Sequence, residues 1–130
     1  MRFISRKFHA VLDYMAGIIL IAAPWILGFA DVEAAKWSAV IVGAIILVMS
    51  FFTDYEGGGK KVLSMSTHLT MDVIAGIFLA ASPWLLNFDE RVYLPHLIIG
   101  ILEIGAGLFT VNESQHAHDH RVDRNISAAH

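Results

Sequence analysis

Four long apolar stretches dominate the sequence, and short polar stretches separate them. The apolar stretches cover residues 9–29, 36–53, 69–88 and 92–111. Each has about the 17–25 residues that a helix needs to cross the hydrocarbon core of a bilayer. The polar connections at 31–36 and 89–91 are long enough only for helical hairpins. The pattern therefore predicts four transmembrane helices.

The composition supports a membrane protein. The chain is 56% hydrophobic and 16% charged, whereas soluble domains average about 45–50% apolar and about 25% charged residues. The absence of cysteine excludes disulfides, thiolate metal sites and thiol nucleophiles. A net charge of −3 without a basic stripe argues against a nucleic-acid partner. No catalytic triad or nucleotide fingerprint is present, so we do not expect an enzyme.

Lysine and arginine are distributed unevenly between the polar stretches. Seven of the nine lie near the termini or in the middle connection, and only Lys36 and Arg91 lie in the two short connections. Cytoplasmic loops of membrane proteins carry an excess of these residues. We therefore predict that both termini and the glycine-rich loop at 57–59 are cytoplasmic.

The chain contains an internal repeat. A shift of 59 residues superposes residues 9–29 on 68–88, with eleven of 21 positions identical, and a shift of 57 matches Gly43 with Gly100. Each unit crosses the membrane twice, so both units have the same orientation and are related by a pseudo-twofold axis along the membrane normal. The predicted fold is all-α: a tandem pair of helical hairpins that closes into a four-helix bundle.

The repeat also sets the predicted domain organisation. It comprises a cytoplasmic N-terminus at 1–8, a first two-helix repeat at 9–56, a cytoplasmic linker at 57–67, a second two-helix repeat at 68–112 and a cytoplasmic tail at 113–130. In that tail His116, His118 and His120 alternate, and in an extended chain they would share a face. They could bind zinc or nickel weakly, but we interpret them as part of a solvated tail.

A Pro-Trp pair occurs at the same place in both repeats. The two copies read Ala23-Pro24-Trp25 and Ser82-Pro83-Trp84. Over residues 9–112 the chain resembles the SPW-repeat family of small bacterial membrane proteins. The resemblance implies the two-helix unit and the bacterial plasma membrane, but no established activity. Alanine in the first copy argues against essential serine chemistry, and we interpret the prolines as kinks and the tryptophans as interfacial anchors.

Small residues line the same helical face as the repeated polar residues. Gly17 falls on one arc of helix 1 with His9 and Asp13, and Gly76 falls on the matching arc of helix 3. Because small residues let membrane helices approach closely, Gly17 and Gly76 are predicted to lie where helices 1 and 3 meet. Gly100 and Gly107 are predicted to pack on the face of helix 4 that also carries Glu103.

His9 and Asp13 are four residues apart, as are His68 and Asp72, so each pair shares a helix face. One interpretation is a symmetric cluster that binds a metal or relays protons. Another is that these side chains hydrogen-bond across an interface and lock the halves together. A third is that the two histidines ligate a haem. We favour the second interpretation, because these residues lie near the membrane interface, where an ionisable side chain costs less free energy than at the bilayer centre. We expect no metal and no cofactor.

Glu103 lies near the middle of helix 4, where a charge costs about 2.5–3.5 kcal/mol on insertion scales. It is either a hydrogen-bonded carboxyl group or a proton or cation site. The leading functional hypothesis is a non-enzymatic membrane scaffold or accessory subunit, which packs against lipid and against copies of itself or a larger complex. The alternatives are a proton relay or carrier that uses Asp13, Asp72 and Glu103, and a redox module with haem held by His9 and His68.

Overall fold

The computed structural model describes residues 3–53 and 63–111, and this part of the chain is helical. The predicted glycine-rich loop at 57–59 and the histidines of the tail lie outside the described residues. The described helices are α1 (Arg6–Ile26), α2 (Glu33–Phe51), α3 (Met65–Leu85) and α4 (Leu94–Phe109).

Three of these helices, α1 to α3, are long and apolar enough to cross a membrane. Helix α4 has 16 residues, which at 1.5 Å per residue span about 24 Å, less than the roughly 30 Å of a hydrocarbon core. It starts only at Leu94, next to Pro95, and ends before the extended residue Thr110. Length and composition thus bear out three of the four predicted membrane helices, and the fourth stays a prediction.

Serine caps place the starts of α1 and α3 earlier than the apolar pattern predicts. Ser5 Oγ accepts a hydrogen bond from the Phe8 amide at 3.1 Å, and Ser64 Oγ accepts one from the Thr67 amide at 3.2 Å. Such caps satisfy amides that have no partner in the first helical turn. The predicted starts at 9 and 69 are therefore three and four residues late, because apolar character does not report capping.

The same two helices end three residues before their apolar stretches do. Beyond each end a residue adopts a left-handed conformation, Gly28 with φ 77° and Asn87 with φ 59°. Glycine and asparagine are the residues that tolerate this conformation just past a helix. The chain then turns inward, so that Phe29 and Phe88 are buried in the core although neither is helical.

Helix α1 packs on α2 and α4, and α3 packs on α4 and α2. The largest fully buried apolar side chains are Leu20, Ile46, Met65 and Leu79. Burying an aliphatic or thioether side chain of this size contributes about 1.5–3 kcal/mol when water is the reference solvent. In lipid the gain comes from close packing instead.

The small residues lie within the helix pairs α1–α2 and α3–α4. A Cβ atom on Gly17 would lie 2.6 Å from the Leu47 side chain of α2, and one on Gly76 would lie 2.7 Å from the Gly100 carbonyl oxygen of α4. The prediction that Gly17 and Gly76 lie between α1 and α3 is therefore wrong. A helical wheel identifies the crowded face but not which neighbour crowds it. Gly100 and Gly107 both face α3.

Two short extended segments tie the helices together at one end of the molecule. Ile4 forms a parallel bridge with Thr110, just after α4, and Leu63 forms one with Thr53, just after α2. The Ile4 amide donates to the Phe109 carbonyl oxygen at 2.9 Å. The N-terminal ends of α1 and α3 and the C-terminal ends of α2 and α4 therefore meet at this end.

Candidate functional site

Four repeated polar residues meet at this end and form what we call the His/Asp cluster: His9, Asp13, His68 and Asp72. His9 Nε2 lies 2.8 Å from Asp72 Oδ2 and 2.9 Å from Asp13 Oδ2. His68 Nε2 lies 2.6 Å from Asp13 Oδ2 and 3.1 Å from Asp72 Oδ2. All four side chains are fully buried. Each histidine therefore contacts the aspartate of its own helix and that of the other repeat.

Two threonines hold the outer nitrogens of the two imidazole rings. His9 Nδ1 lies 2.7 Å from Thr110 Oγ1, and His68 Nδ1 lies 2.6 Å from Thr53 Oγ1. Each threonine hydroxyl also donates to the carbonyl oxygen four residues earlier in its chain. Because a hydroxyl has one hydrogen, Oγ1 is left to accept from Nδ1–H. The Nε2 atom of each ring then faces the carboxylates.

The carboxylates of the cluster are only partly satisfied. Ser50 Oγ donates to Asp13 Oδ2 at 3.3 Å. The other carboxylate oxygens, Asp13 Oδ1 and Asp72 Oδ1, are buried without a hydrogen-bond partner in the described part of the chain. Most buried polar atoms in proteins have such a partner, so these two oxygens identify the cluster as chemically incomplete.

Glu103 lies next to the cluster. Glu103 is 2% exposed, and its Oε2 atom is buried without a hydrogen-bond partner among the described residues. It is close enough to interact electrostatically with all four members of the His/Asp cluster. The structure thus brings the five polar residues singled out from the sequence into one neighbourhood.

The Ser-Pro-Trp motif ends α3. Pro83 has no amide hydrogen, so the carbonyl oxygen of Leu79, four residues earlier, loses its usual helical donor. Ser82 Oγ donates to that carbonyl oxygen at 2.6 Å. The serine thus compensates for the neighbouring proline. In the first copy of the motif Ala23 has no hydroxyl and cannot do this for Leu20.

The prolines and tryptophans of the motif point in opposite directions. Pro24 and Pro83 are buried, whereas Trp25 and Trp84 lie on the surface. The Trp84 ring packs against Tyr93, with ring centroids 5.8 Å apart. The tryptophans lie near the end of the molecule opposite to the His/Asp cluster, close to the turns after α1 and α3.

A charged pair links the two turns at that opposite end. Arg91 donates from its guanidinium group to Asp31 Oδ2 at 2.8 Å. This hydrogen bond lowers the pKa of the Asp31 carboxyl group below its usual value. Both side chains are exposed, so solvent screens the pair and its contribution to stability is small.

The sequence analysis missed Ser50, which contacts Asp13, and three further polar residues that belong to this picture. His96 is fully buried, lies against the rings of Phe29 and Phe88, and donates from Nε2 to the Ala35 carbonyl oxygen at 2.9 Å. It has no counterpart in the repeat, so no pattern indicated it. Thr53 and Thr110 did carry a signal, because both follow phenylalanine at matching positions in the two repeats.

Comparison with known families covers most of the chain. The sequence profile of the SPW repeat domain matches residues 7–110. The chain belongs to the SPW repeat family. The match spans both Pro-Trp motifs and the complete His/Asp cluster, and it confirms the resemblance inferred from the sequence. Together with the three membrane-length apolar helices, it makes this a membrane protein of the SPW repeat family. No curated protein and no solved structure matches the chain.

Proposed function

We propose that this SPW repeat protein is a non-enzymatic membrane scaffold or accessory subunit, which acts by helix packing with further copies of itself or with a larger complex. The observation that carries the proposal is where polar and apolar side chains lie. Most of the buried polar side chains lie in or beside the His/Asp cluster and around His96, whereas many large apolar side chains lie on the outside, among them Ile18, Ile26 and Leu102. Such a surface suits lipid or other helices, not a soluble substrate.

The grooves on the surface fit the same proposal. One of about 400 Å³ is lined by Leu27 and residues 89–95, and another of about 260 Å³ is lined by residues of α2 together with Phe78 and Leu86. Neither includes a member of the His/Asp cluster. Within the described part of the chain, these two grooves therefore offer no access to the His/Asp cluster.

The architecture we propose is a four-helix bundle in which α4 also crosses the membrane and the two repeats are related by a pseudo-twofold axis. The reciprocal contacts support it, because His9 contacts Asp72 and Thr110 as His68 contacts Asp13 and Thr53. A buried charged network of this kind also supports a fixed arrangement of the two halves, since removing one partner leaves an uncompensated charge.

We place the protein in the bacterial plasma membrane with both termini and the 57–59 loop in the cytoplasm, as the lysine and arginine distribution favours. The chain has no cysteine, so single cysteines can be labelled cleanly. Asp31→Cys and Glu90→Cys should react with a membrane-impermeant reagent in intact cells, whereas Gly58→Cys should react only after lysis. The reverse labelling would overturn this orientation.

Two measurements test the scaffold proposal. Light scattering of the protein in mild detergent should show either more than one chain per particle or a second protein in fixed stoichiometry. Liposomes that contain the purified protein should show no proton flux across a pH gradient. Single chains without a partner, combined with proton flux, would overturn the proposal.

A proton relay is the second candidate, and the buried Glu103 Oε2 atom, which has no hydrogen-bond partner among the described residues, favours it. Flux that disappears in Glu103→Gln while thermal stability is unchanged would establish the relay. The geometry does not favour a haem. The rings of His9 and His68 lie 5.4 Å apart at 75°, and carboxylates already contact both Nε2 atoms, so no space for a porphyrin separates them.

A further inference from the structure

We propose that the His/Asp cluster is a binding site for one divalent transition-metal ion, with Zn²⁺ as the best-fitting ion. One ligand atom from each of the four residues lies within 4.8 Å of all the others. The four nitrogen–oxygen distances around the cluster run from 2.6 to 3.1 Å. A tetrahedral ion with Zn–N and Zn–O bonds of about 2.0–2.1 Å needs ligand atoms about 3.3 Å apart, so the four atoms reach this geometry by moving apart by less than about 1 Å.

The donor set and its charge suit such an ion. Imidazole nitrogen and carboxylate oxygen are usual zinc ligands, and four protein ligands are typical of a structural site. Two buried carboxylates carry two negative charges, which hydrogen bonds from the two histidines compensate when no ion is bound. One divalent cation at the centre balances both charges at once. The site goes beyond the scaffold proposal and does not depend on it.

The two threonines orient the rings as a metal site requires. Metal-bound histidines almost always donate their second ring N–H to a neighbouring acceptor, which fixes the ring and the tautomer. Thr110 Oγ1 and Thr53 Oγ1 lie at this position on His9 and His68, and both hydroxyl hydrogens are directed to helix carbonyl oxygens. When an ion replaces the Nε2 protons, the Nε2 lone pairs are therefore directed toward the centre of the cluster.

The unsatisfied oxygens are an independent observation. Asp13 Oδ1 and Asp72 Oδ1 are buried without a partner in the described residues, in side chains with no exposed surface. A metal ion gives a carboxylate a partner for either oxygen, and with a small rotation for both. Hydrogen bonds from the two histidines alone leave these oxygens unpaired.

Co²⁺ is the probe for the test, because its visible absorption reports tetrahedral coordination. The full chain should be used with His116, His118 and His120 replaced by alanine, so that the tail cannot bind the ion. After treatment with a chelator in detergent, this protein should bind one Co²⁺ per chain with a tetrahedral spectrum, and Zn²⁺ should displace it. Binding well below one ion per chain, or an octahedral spectrum, would overturn the proposal.

Variants then locate the ion. Asp13→Asn combined with Asp72→Asn should abolish the Co²⁺ spectrum. Thr53→Val and Thr110→Val should each weaken binding about 10–100-fold, as is usual for residues behind metal ligands. His96→Gln is the matched control, a buried histidine outside the cluster, and should bind normally. Circular dichroism verifies folding of each variant, and unchanged binding in the double aspartate variant would overturn the proposal.

Discussion

The two repeats agree at one end of the molecule and differ elsewhere. His, Asp and Thr occupy matching positions in both, and each of these side chains contacts a residue of the other repeat. Where the repeats differ, the contacts have no counterpart: Ser82 donates to its own helix, and His96 of the second repeat donates to the Ala35 carbonyl oxygen of the first. The comparison teaches that the repeated polar residues form reciprocal contacts in the His/Asp cluster, whereas residues present in only one repeat form contacts without a counterpart.

The largest expected effect tests whether the two histidines are equivalent. His9→Ala and His68→Ala should each lower the free energy of unfolding by about 3–5 kcal/mol, because each leaves two buried carboxylates with only one histidine between them. The measurement is unfolding of the purified protein in detergent, followed by circular dichroism. A loss below about 1 kcal/mol for one histidine but not the other would break the equivalence of the two repeats.

Alanine substitutions of the repeated glycines should lower stability by a smaller amount, and the loss should differ between the two repeats. A Cβ atom on Gly76 would meet backbone atoms, the Gly100 oxygen at 2.7 Å and the Ile104 nitrogen at 2.9 Å, whereas one on Gly17 mainly meets the flexible Leu47 side chain. Gly76→Ala should therefore cost about 1–3 kcal/mol, and Gly17→Ala less.

Gly105→Ala is the matched control for these two variants. A Cβ atom there meets nothing within 4 Å, and alanine favours a helix over glycine by about 0.8–1.0 kcal/mol in the host systems where this has been measured. The control should be neutral or stabilising in the same unfolding assay. Equal losses for Gly17→Ala and Gly76→Ala would show that the α1–α2 and α3–α4 contacts are equally rigid.

The motif serine provides a third and weaker test. Ser82→Ala removes the donor to the Leu79 carbonyl oxygen within α3 and should cost about 0.5–1.5 kcal/mol, the net contribution of a typical intramolecular hydrogen bond. Ala23→Ser introduces the same donor into the first repeat and should stabilise by a similar amount. Thermal unfolding of both variants and the parent measures this. A stabilising Ser82→Ala would contradict the role assigned to the hydroxyl.

The smallest effect concerns the exposed pair of Asp31 and Arg91. The pKa of Asp31 is lowered in the folded protein, so the pair stabilises above the unfolded-state pKa and the effect is lost as pH falls through the folded-state pKa. The stability difference between the parent and Asp31→Asn should therefore shrink toward zero in acid. A difference that grows on acidification would contradict this sign.

The sequence predicted the positions of the helices well, but it did not predict which helices pack against one another. Apolar length and the repeat located all four helices, and the four-residue spacing brought His9 and Asp13 onto one face. Spacing could not show that Gly17 faces α2, because a wheel has no information on the other helices. Thr53 and Thr110 contact histidines 15 and 101 positions away, a proximity that only the folded chain creates. Glu103 was singled out only because a charge in the middle of a membrane helix costs free energy.

The paired extended segments make the chain behave as a closed loop. Ile4 lies against Thr110 just as Leu63 lies against Thr53, so each repeat is entered beside the exit of the other. A chain cut within residues 54–62 and joined from residue 111 to residue 3 would keep both pairings. Neighbouring chain ends make circular permutation tolerable. We therefore expect the two repeats to fold into the same arrangement in either order along the chain.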